Sequence, residues 1–188
     1  MENKKDDKVL LLLKDLISSV IISLIIVIVI TQFFFRPVKV DGLSMYPTLN
    51  DSEVGLSNII GLKTKGIKRH DVVVVHFQDR DRFIVKRVIG LPGETVEARK
   101  GIIYIDGVAS DEPFLDTEFV EKWERDNNNF FTNDFGPVTV PDDSYFVLGD
   151  NRQSSSDSRV YGSFHKDLIK SKGVFVIFPI HKLRNVGG

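Results

Sequence analysis

Two side chains in this sequence could together hydrolyse an amide: Ser44, in Gly42-Leu43-Ser44-Met45-Tyr46-Pro47-Thr48-Leu49, and Lys86, 42 positions later in Phe83-Ile84-Val85-Lys86-Arg87-Val88-Ile89-Gly90-Leu91-Pro92-Gly93. A lone serine hydroxyl is a poor nucleophile at neutral pH and needs a base to take its proton. A lysine amine is that base only when neutral, and an unperturbed lysine, with pKa about 10.4, is neutral in only a few molecules per ten thousand at pH 7. The site must therefore disfavour the ammonium, which desolvation does. In a strand, alternate residues share a face, so Lys86 points with Ile84 and Val88, while Arg87 points with Phe83, Val85 and Ile89. That places the amine among aliphatic side chains. The same pattern also describes an edge-strand lysine snorkelling past apolar neighbours to water, and Ser44 alone is a turn serine bounded by Gly and Pro, so the residues by themselves leave both readings open.

Other chemistries have less support. There is no cysteine, which removes thiolate catalysis, disulfides and cysteine-based metal sites. His70, His76, His165 and His181 show no H-E-x-x-H spacing, and no Gly-x-Ser-x-Gly elbow surrounds Ser44. Neither a metal nor a cofactor is expected. With 25 basic and 26 acidic residues, the chain lacks the basic excess that would mark nucleic acid as a partner.

What must position the pair comes next. Leu16 to Phe35 carries no charge and only Ser18, Ser19, Ser23, Thr31 and Gln32 as polar residues. As a helix it spans roughly 30 Å, the hydrocarbon thickness of a bilayer. Phe33-Phe34-Phe35-Arg36 follows instead of the small-residue cleavage site of a signal peptide, so the segment is expected to remain as an anchor. Lys4, Lys5, Lys8 and Lys14 precede it and Arg36 and Lys39 follow, which by the positive-inside rule favours a cytoplasmic N-terminus over residues 1–15. Residues 36–188 then form one catalytic domain on the extracytoplasmic face.

Beyond the anchor the sequence predicts a mainly β, antiparallel domain. Expected strands are Val72 to Phe77, Phe83 to Ile89, Thr95 to Ala98, Ile102 to Ile105, Val138 to Val140, Tyr145 to Leu148 and Val174 to Phe178. Leu91-Pro92-Gly93-Glu94 reads as a type II turn returning Thr95 to Ala98 antiparallel, and Asp106-Gly107 as a hairpin turn. Residues 111–136, rich in acids, read as a loop-rich surface insertion with one helical turn near Phe119 to Glu124 and a solvated charged face.

Three segments in this order behind one anchor resemble the motif blocks of bacterial type I signal peptidases, of the small single-span Gram-positive form. They are Ser44-Met45-Tyr46-Pro47-Thr48, Lys86 to Glu94, and Gly149-Asp150-Asn151-Arg152-Gln153-Ser154-Ser155-Ser156-Asp157-Ser158-Arg159. The resemblance implies Ser44 as nucleophile, Lys86 as general base and later acid, and, by alignment on Gly149 to Arg152, Ser155 as the hydroxyl that orients the lysine. It implies structural support from Asp150, Arg152, Asp157 and Arg159. The family builds its oxyanion hole from the nucleophile's N–H and, in some members, a serine two residues earlier; here Gly42 stands at that position and main-chain donors are expected to suffice.

The resemblance further implies a substrate: signal peptides of secreted preproteins, cut after small residues at the first and third positions before the bond. It implies work at the lipid bilayer in proximity to the secretion translocon. A β-rich groove takes an extended peptide by strand addition, and Met45, Leu49, Ile84 and Val85 are the expected pocket walls by their closeness to the pair. The alternative from another class is a catalytically silent, membrane-anchored binding or regulatory paralogue, against which the presence of both Ser44 and Lys86 speaks.

Overall fold

The structure, a computed structural model, describes residues 3–77 and 81–187, with side chains described from residue 10 onward; the side chains of Lys4, Lys5 and Lys8 therefore lie outside the described residues. Helix α1 (Asn3–Phe33) contains a stretch, Leu10–Phe33, of mean hydropathy 2.7 with none of it buried against protein, long and apolar enough to cross a membrane. Three of its hydroxyls find partners within the helix: Ser19, Ser23 and Thr31 donate to the carbonyls of Asp15, Ser19 and Val27, one turn back.

The helix ends before the expected limit at Phe35. Phe34 N–H still reaches the Ile30 carbonyl, but the Phe34 carbonyl accepts from Ile59, and Phe35 opens strand β1 (Phe35–Lys39). Pro37 explains the early stop, because the residue before a proline is pushed out of the helical region. At its other end the apolar stretch begins at Leu10 rather than Leu16 and contains Lys14 and Asp15.

The remaining elements are β2 (Val54–Asn58), α2 (Ile59–Lys65), β3 (Val72–Phe77), β4 (Arg82–Gly90), β5 (Thr95–Arg99), β6 (Ile102–Ile105), β7 (Val108–Ala109), α3 (Thr117–Asn127), β8 (Phe135–Thr139), β9 (Ser144–Leu148), α4 (Ser158–Tyr161), β10 (Phe164–His165), β11 (Ile169–Phe178) and β12 (Arg184–Val186). One antiparallel sheet runs β1-β2-β11-β3-β4-β9-β10, with β12 also on β11; a second runs β7-β6-β5-β8. The fold is mainly antiparallel β, as the sequence predicts.

The expected return of β5 alongside β4 is corrected. The turn itself forms, with Gly93 at φ +82° and Glu94 N–H bonded to the Leu91 carbonyl, but β5 pairs with β6 and β8. Gly90, after a register shift, pairs with Phe146 of β9, and a Cβ on it would lie 2.5 Å from Val96 Cγ2. The chain thus crosses from one sheet to the next at a face-to-face contact that only glycine admits, leaving no ladder between β4 and β5.

The insertion is also more ordered than expected. Asp116 caps α3 by accepting from Phe119 N–H, and Asn128 ends it in the left-handed region. Phe119 and Trp123, one turn apart, both pack edge-on against Phe131, which with Thr132 is buried. Residues 111–136 therefore contribute to the interior rather than forming only a solvated flap.

Candidate active site

Ser44 sits in an irregular turn held at both ends. Gly42, at φ +87°, sends its N–H to the Asp51 carboxylate at 2.7 Å. Met45 and Leu49 plug into the core beside Val85, Val174 and Val186, and Leu49 N–H closes onto the Met45 carbonyl. With those apolar side chains turned inward, Ser44 between them and Gly42 stays half-buried.

Lys86 lies mid-way along β4, opposite Val73 of β3, and is only 3% exposed. Ile84 and Val88, its alternation partners, pack in the cluster of Val73, Val75, Phe77 and Val147. The Lys86 Nζ donates to Ser44 Oγ at 2.7 Å. Burial lowers the amine from 10.5 to about 8; the Asp157 and Asp150 carboxylates pull the other way, and Arg82 and Arg159 add to the lowering. Roughly a tenth of the amines are then neutral at pH 7 and ready to take a hydroxyl proton.

Around the pair opens a groove of about 260 Å³, walled on one side by residues 39–45 and on the other by residues 82–86, with Ser154, Ser156 and Tyr161 at its rim. Met45, Ile84 and Val85 line it. Leu49 does not: it is fully buried in the core beneath the turn, because its inward placement is what anchors that turn.

Comparisons with known proteins show the family of the chain in which this serine hydroxyl and buried lysine meet. The sequence profile described as "Signal peptidase, peptidase S26" matches residues 13–178. The chain belongs to this family. Signal peptidase I S of Bacillus subtilis (strain 168) is 43% identical over 153 residues, covering 81% of this chain and 82% of its own. Signal peptidase IB of Staphylococcus aureus (strain Mu50 / ATCC 700699) is 37% identical over 164 residues, 82% of this chain and 83% of its own. The crystal structure of a signal peptidase I from Enterococcus faecalis V583 is 34% identical and covers 56% of this chain and 95% of its own, with a TM-score of 0.49. Signal peptidase I activity, with α1 as a fitting membrane anchor, is thus the family's function in this chain.

The third block reaches the dyad through the backbone and through ion pairs. Asn151 N–H donates to the Ser44 carbonyl at 3.1 Å. Asp150, buried, accepts from Arg87 Nε and Nη2 and from the Thr48 hydroxyl, so one carboxylate joins the strand of Lys86 to the turn of Ser44. Burial alone would raise the Asp157 carboxyl, but the Arg159 guanidinium, bonded to both its oxygens, holds it below the ordinary range; Gly149 N–H donates to it as well. Arg152, with no exposed side-chain surface, bonds the Gly149 carbonyl, Thr132 and the Glu112 carboxylate from the insertion.

Ser155 departs from its expected role in this structure. Its hydroxyl is buried and does not bond the amine, whose hydrogen bond goes to Ser44 instead. It packs over Gly149, where a Cβ would lie 2.3 Å from Ser155 Oγ and 2.4 Å from the Ser44 carbonyl oxygen. Sequence reasoning missed this tight three-way contact, as it missed Thr48, Arg87 and Glu112. Thr48 and Arg87 stood within the motif blocks, and their polarity next to the dyad was a usable signal; nothing in the sequence marked Glu112 apart from the other acids around it.

Proposed function

We propose that this chain removes signal peptides from secreted preproteins by Ser44 attack on the scissile carbonyl, with Lys86 as general base and then as acid for the leaving amine. The observation that carries the reading is the 2.7 Å contact between Ser44 Oγ and a lysine amine lowered to about 8. The neutral amine accepts the hydroxyl proton as the C–O bond forms, and the resulting ammonium returns it to the departing nitrogen. No histidine enters: His70, His76, His165 and His181 all lie outside the groove lining.

For the tetrahedral oxyanion the available donor is the Ser44 N–H, which has no acceptor among the described residues, whereas Gly42 N–H is committed to Asp51. An extended peptide lies between residues 39–43 and 82–86 by strand addition, its small side chains facing Met45, Ile84 and Val85. The catalytic domain works on the extracytoplasmic face, near the translocon, with the cleavage site of a membrane-inserted signal peptide held at the depth of the groove, which raises its effective concentration. Asp150, Arg152, Asp157 and Arg159 support the site; the orienting role that the resemblance assigns to Ser155 rests on its place over Gly149 beside the pair, not on a bond to the amine.

The test is incubation of the detergent-solubilised full chain with a labelled preprotein bearing an A-x-A cleavage site, beside Ser44→Ala and Lys86→Met. Both variants are expected to leave the preprotein uncut. Processing at the wild-type rate by Ser44→Ala overturns the assignment.

A further inference from the structure

The turn bearing Ser44 is gripped from two directions. From the third block come Asn151 N–H on the Ser44 carbonyl and Asp150 on the Thr48 hydroxyl. From the opposite end of the chain comes Arg184, in the short strand β12. Its Nη2 donates to the Thr48 carbonyl at 2.8 Å, and its Nη1 and Nη2 donate to the two Glu53 oxygens at 3.0 and 2.6 Å. Glu53, 2% exposed, turns those same oxygens toward the end of the turn, accepting from Asn50 N–H at 3.0 Å and Asn50 Nδ2 at 3.1 Å. Burial would raise the Glu53 carboxyl, yet the guanidinium and the Asn50 donors hold it below its ordinary value.

The strand delivering this arginine is itself fixed. β12 pairs with β11 through Val174↔Val186, Phe175↔Asn185 and Val176↔Arg184, and Val186 is buried with Met45 and Leu49, the two side chains that anchor the nucleophile's turn from below. The residues of β12, Arg184–Val186, lie beyond the 13–178 stretch that the family profile matches.

From this geometry we infer that Arg184 is a positioning residue for catalysis: with Glu53 it clamps Thr48 and Asn50 and so holds Ser44 Oγ in register with Lys86. A planar guanidinium suits the task, because one group must bond a carboxylate through both nitrogens and a backbone carbonyl as well, whereas an ammonium is a single point donor. The clamp lies outside the groove lining and is not among the charges that tune Lys86, so its loss changes the attack geometry and leaves peptide binding and the base's titration alone. Misplacing reacting groups by about 1 Å costs on the order of 100-fold in rate. The inference rests on Ser44 as the nucleophile.

The experiment uses the full chain in detergent micelles, with the concentration of competent sites counted by the acylation burst of an activated ester. Per competent site, Arg184→Met is expected to lower kcat at least tenfold, with KM within twofold of wild type and the midpoint of the pH profile unmoved; Arg184→Lys is expected to fall between the two. An unchanged per-site kcat, with loss confined to the fraction of competent sites, overturns the clamp and makes Arg184 a folding residue only. A raised KM or a moved pH midpoint likewise overturns it. Where Arg184→Met does not accumulate, Arg184→Lys decides: a threefold or larger drop per site supports the clamp and a wild-type value refutes it. Ser44→Ala run in parallel separates the failures, since a cutting Ser44→Ala sinks the dyad reading, whereas an inert one beside an unimpaired Arg184→Met sinks the clamp alone.

Discussion

Replacing Lys86 by Met is expected to stabilise the protein while abolishing cleavage. Holding the amine at about 8 rather than 10.5 means that folding at neutral pH desolvates an ammonium. At about 1.36 kcal/mol per pH unit, this costs roughly 3 kcal/mol. The sign follows from proton counting. Between pH 8 and 10.5 the unfolded chain holds the proton and the folded chain has lost it, so wild-type stability rises with pH through that window; below about 8 both states are protonated and the full cost persists. Met fills the same space without a charge and gives up one hydrogen bond, about 1 kcal/mol and independent of pH. The variant should therefore exceed wild type by about 2 kcal/mol at pH 7 and lose that lead by pH 10.5. Urea unfolding of the full chain in micelles, followed by the fluorescence of Trp123, the single tryptophan, measures both curves. A difference that stays constant from pH 7 to 10.5, or a wild type more stable at pH 7, would refute the account of Lys86 as an amine lowered to about 8 by burial.

The same titration should govern turnover: cleavage of a preprotein is expected to rise with pH to a midpoint near 8, and a rate flat from pH 6 to 10 would exclude a lysine base. Arg159→Met leaves the Asp157 carboxylate unopposed near Lys86 and should move that midpoint upward, read from the same pH profile. Ser155→Ala should lower turnover without abolishing it; an unchanged kcat transfers the orienting role to Ser154 or Ser156, which line the groove. Gly149→Ala drives a methyl group against the Ser44 carbonyl oxygen and Ser155 Oγ, so kcat should fall more than the roughly 1–3 kcal/mol loss of stability typical of overpacking would suggest, a comparison made by rate assay and urea unfolding together.

Local signals alone, a serine in a Gly- and Pro-bounded turn and a lysine whose period-2 neighbours are aliphatic, left a snorkelling edge lysine open; the three motif blocks singled out Ser44 and Lys86, which the structure brings within 2.7 Å of each other. β3, β6 and the Asp106-Gly107 hairpin followed from the same short-range rules, and the turn after β4 formed as its Pro-Gly pair required. What failed was long-range. No local pattern says that Gly90 must admit Val96 face-on and so send β5 to the other sheet, or that the short strand β2 pairs with β11 near the far end of the chain. Leu49 fails for a related reason: closeness in sequence to Ser44 made it a candidate pocket wall, whereas the turn's curvature points it into the core.

Charge placement around Lys86 shows why burial prevails there. Two buried carboxylates, Asp150 and Asp157, stand close enough to favour the ammonium, and unopposed they would offset the desolvation that makes the amine a base. Each is instead bonded through both oxygens to a guanidinium, Arg87 on Asp150 and Arg159 on Asp157. Their spare capacity goes to the Thr48 hydroxyl and to Gly149 N–H, groups that hold the turn of the nucleophile and the loop beneath it. The acids thus supply mechanical connection, while Arg82 and Arg159 oppose part of their field at the amine and burial outweighs what remains. Lys172 gives the internal comparison. It is equally buried, but its ammonium lies 2.8 Å from the Asp71 carboxylate, in a direct ion pair that Lys86 lacks. What distinguishes Lys86 is therefore that its hydrogen-bond partner is a serine hydroxyl rather than a carboxylate.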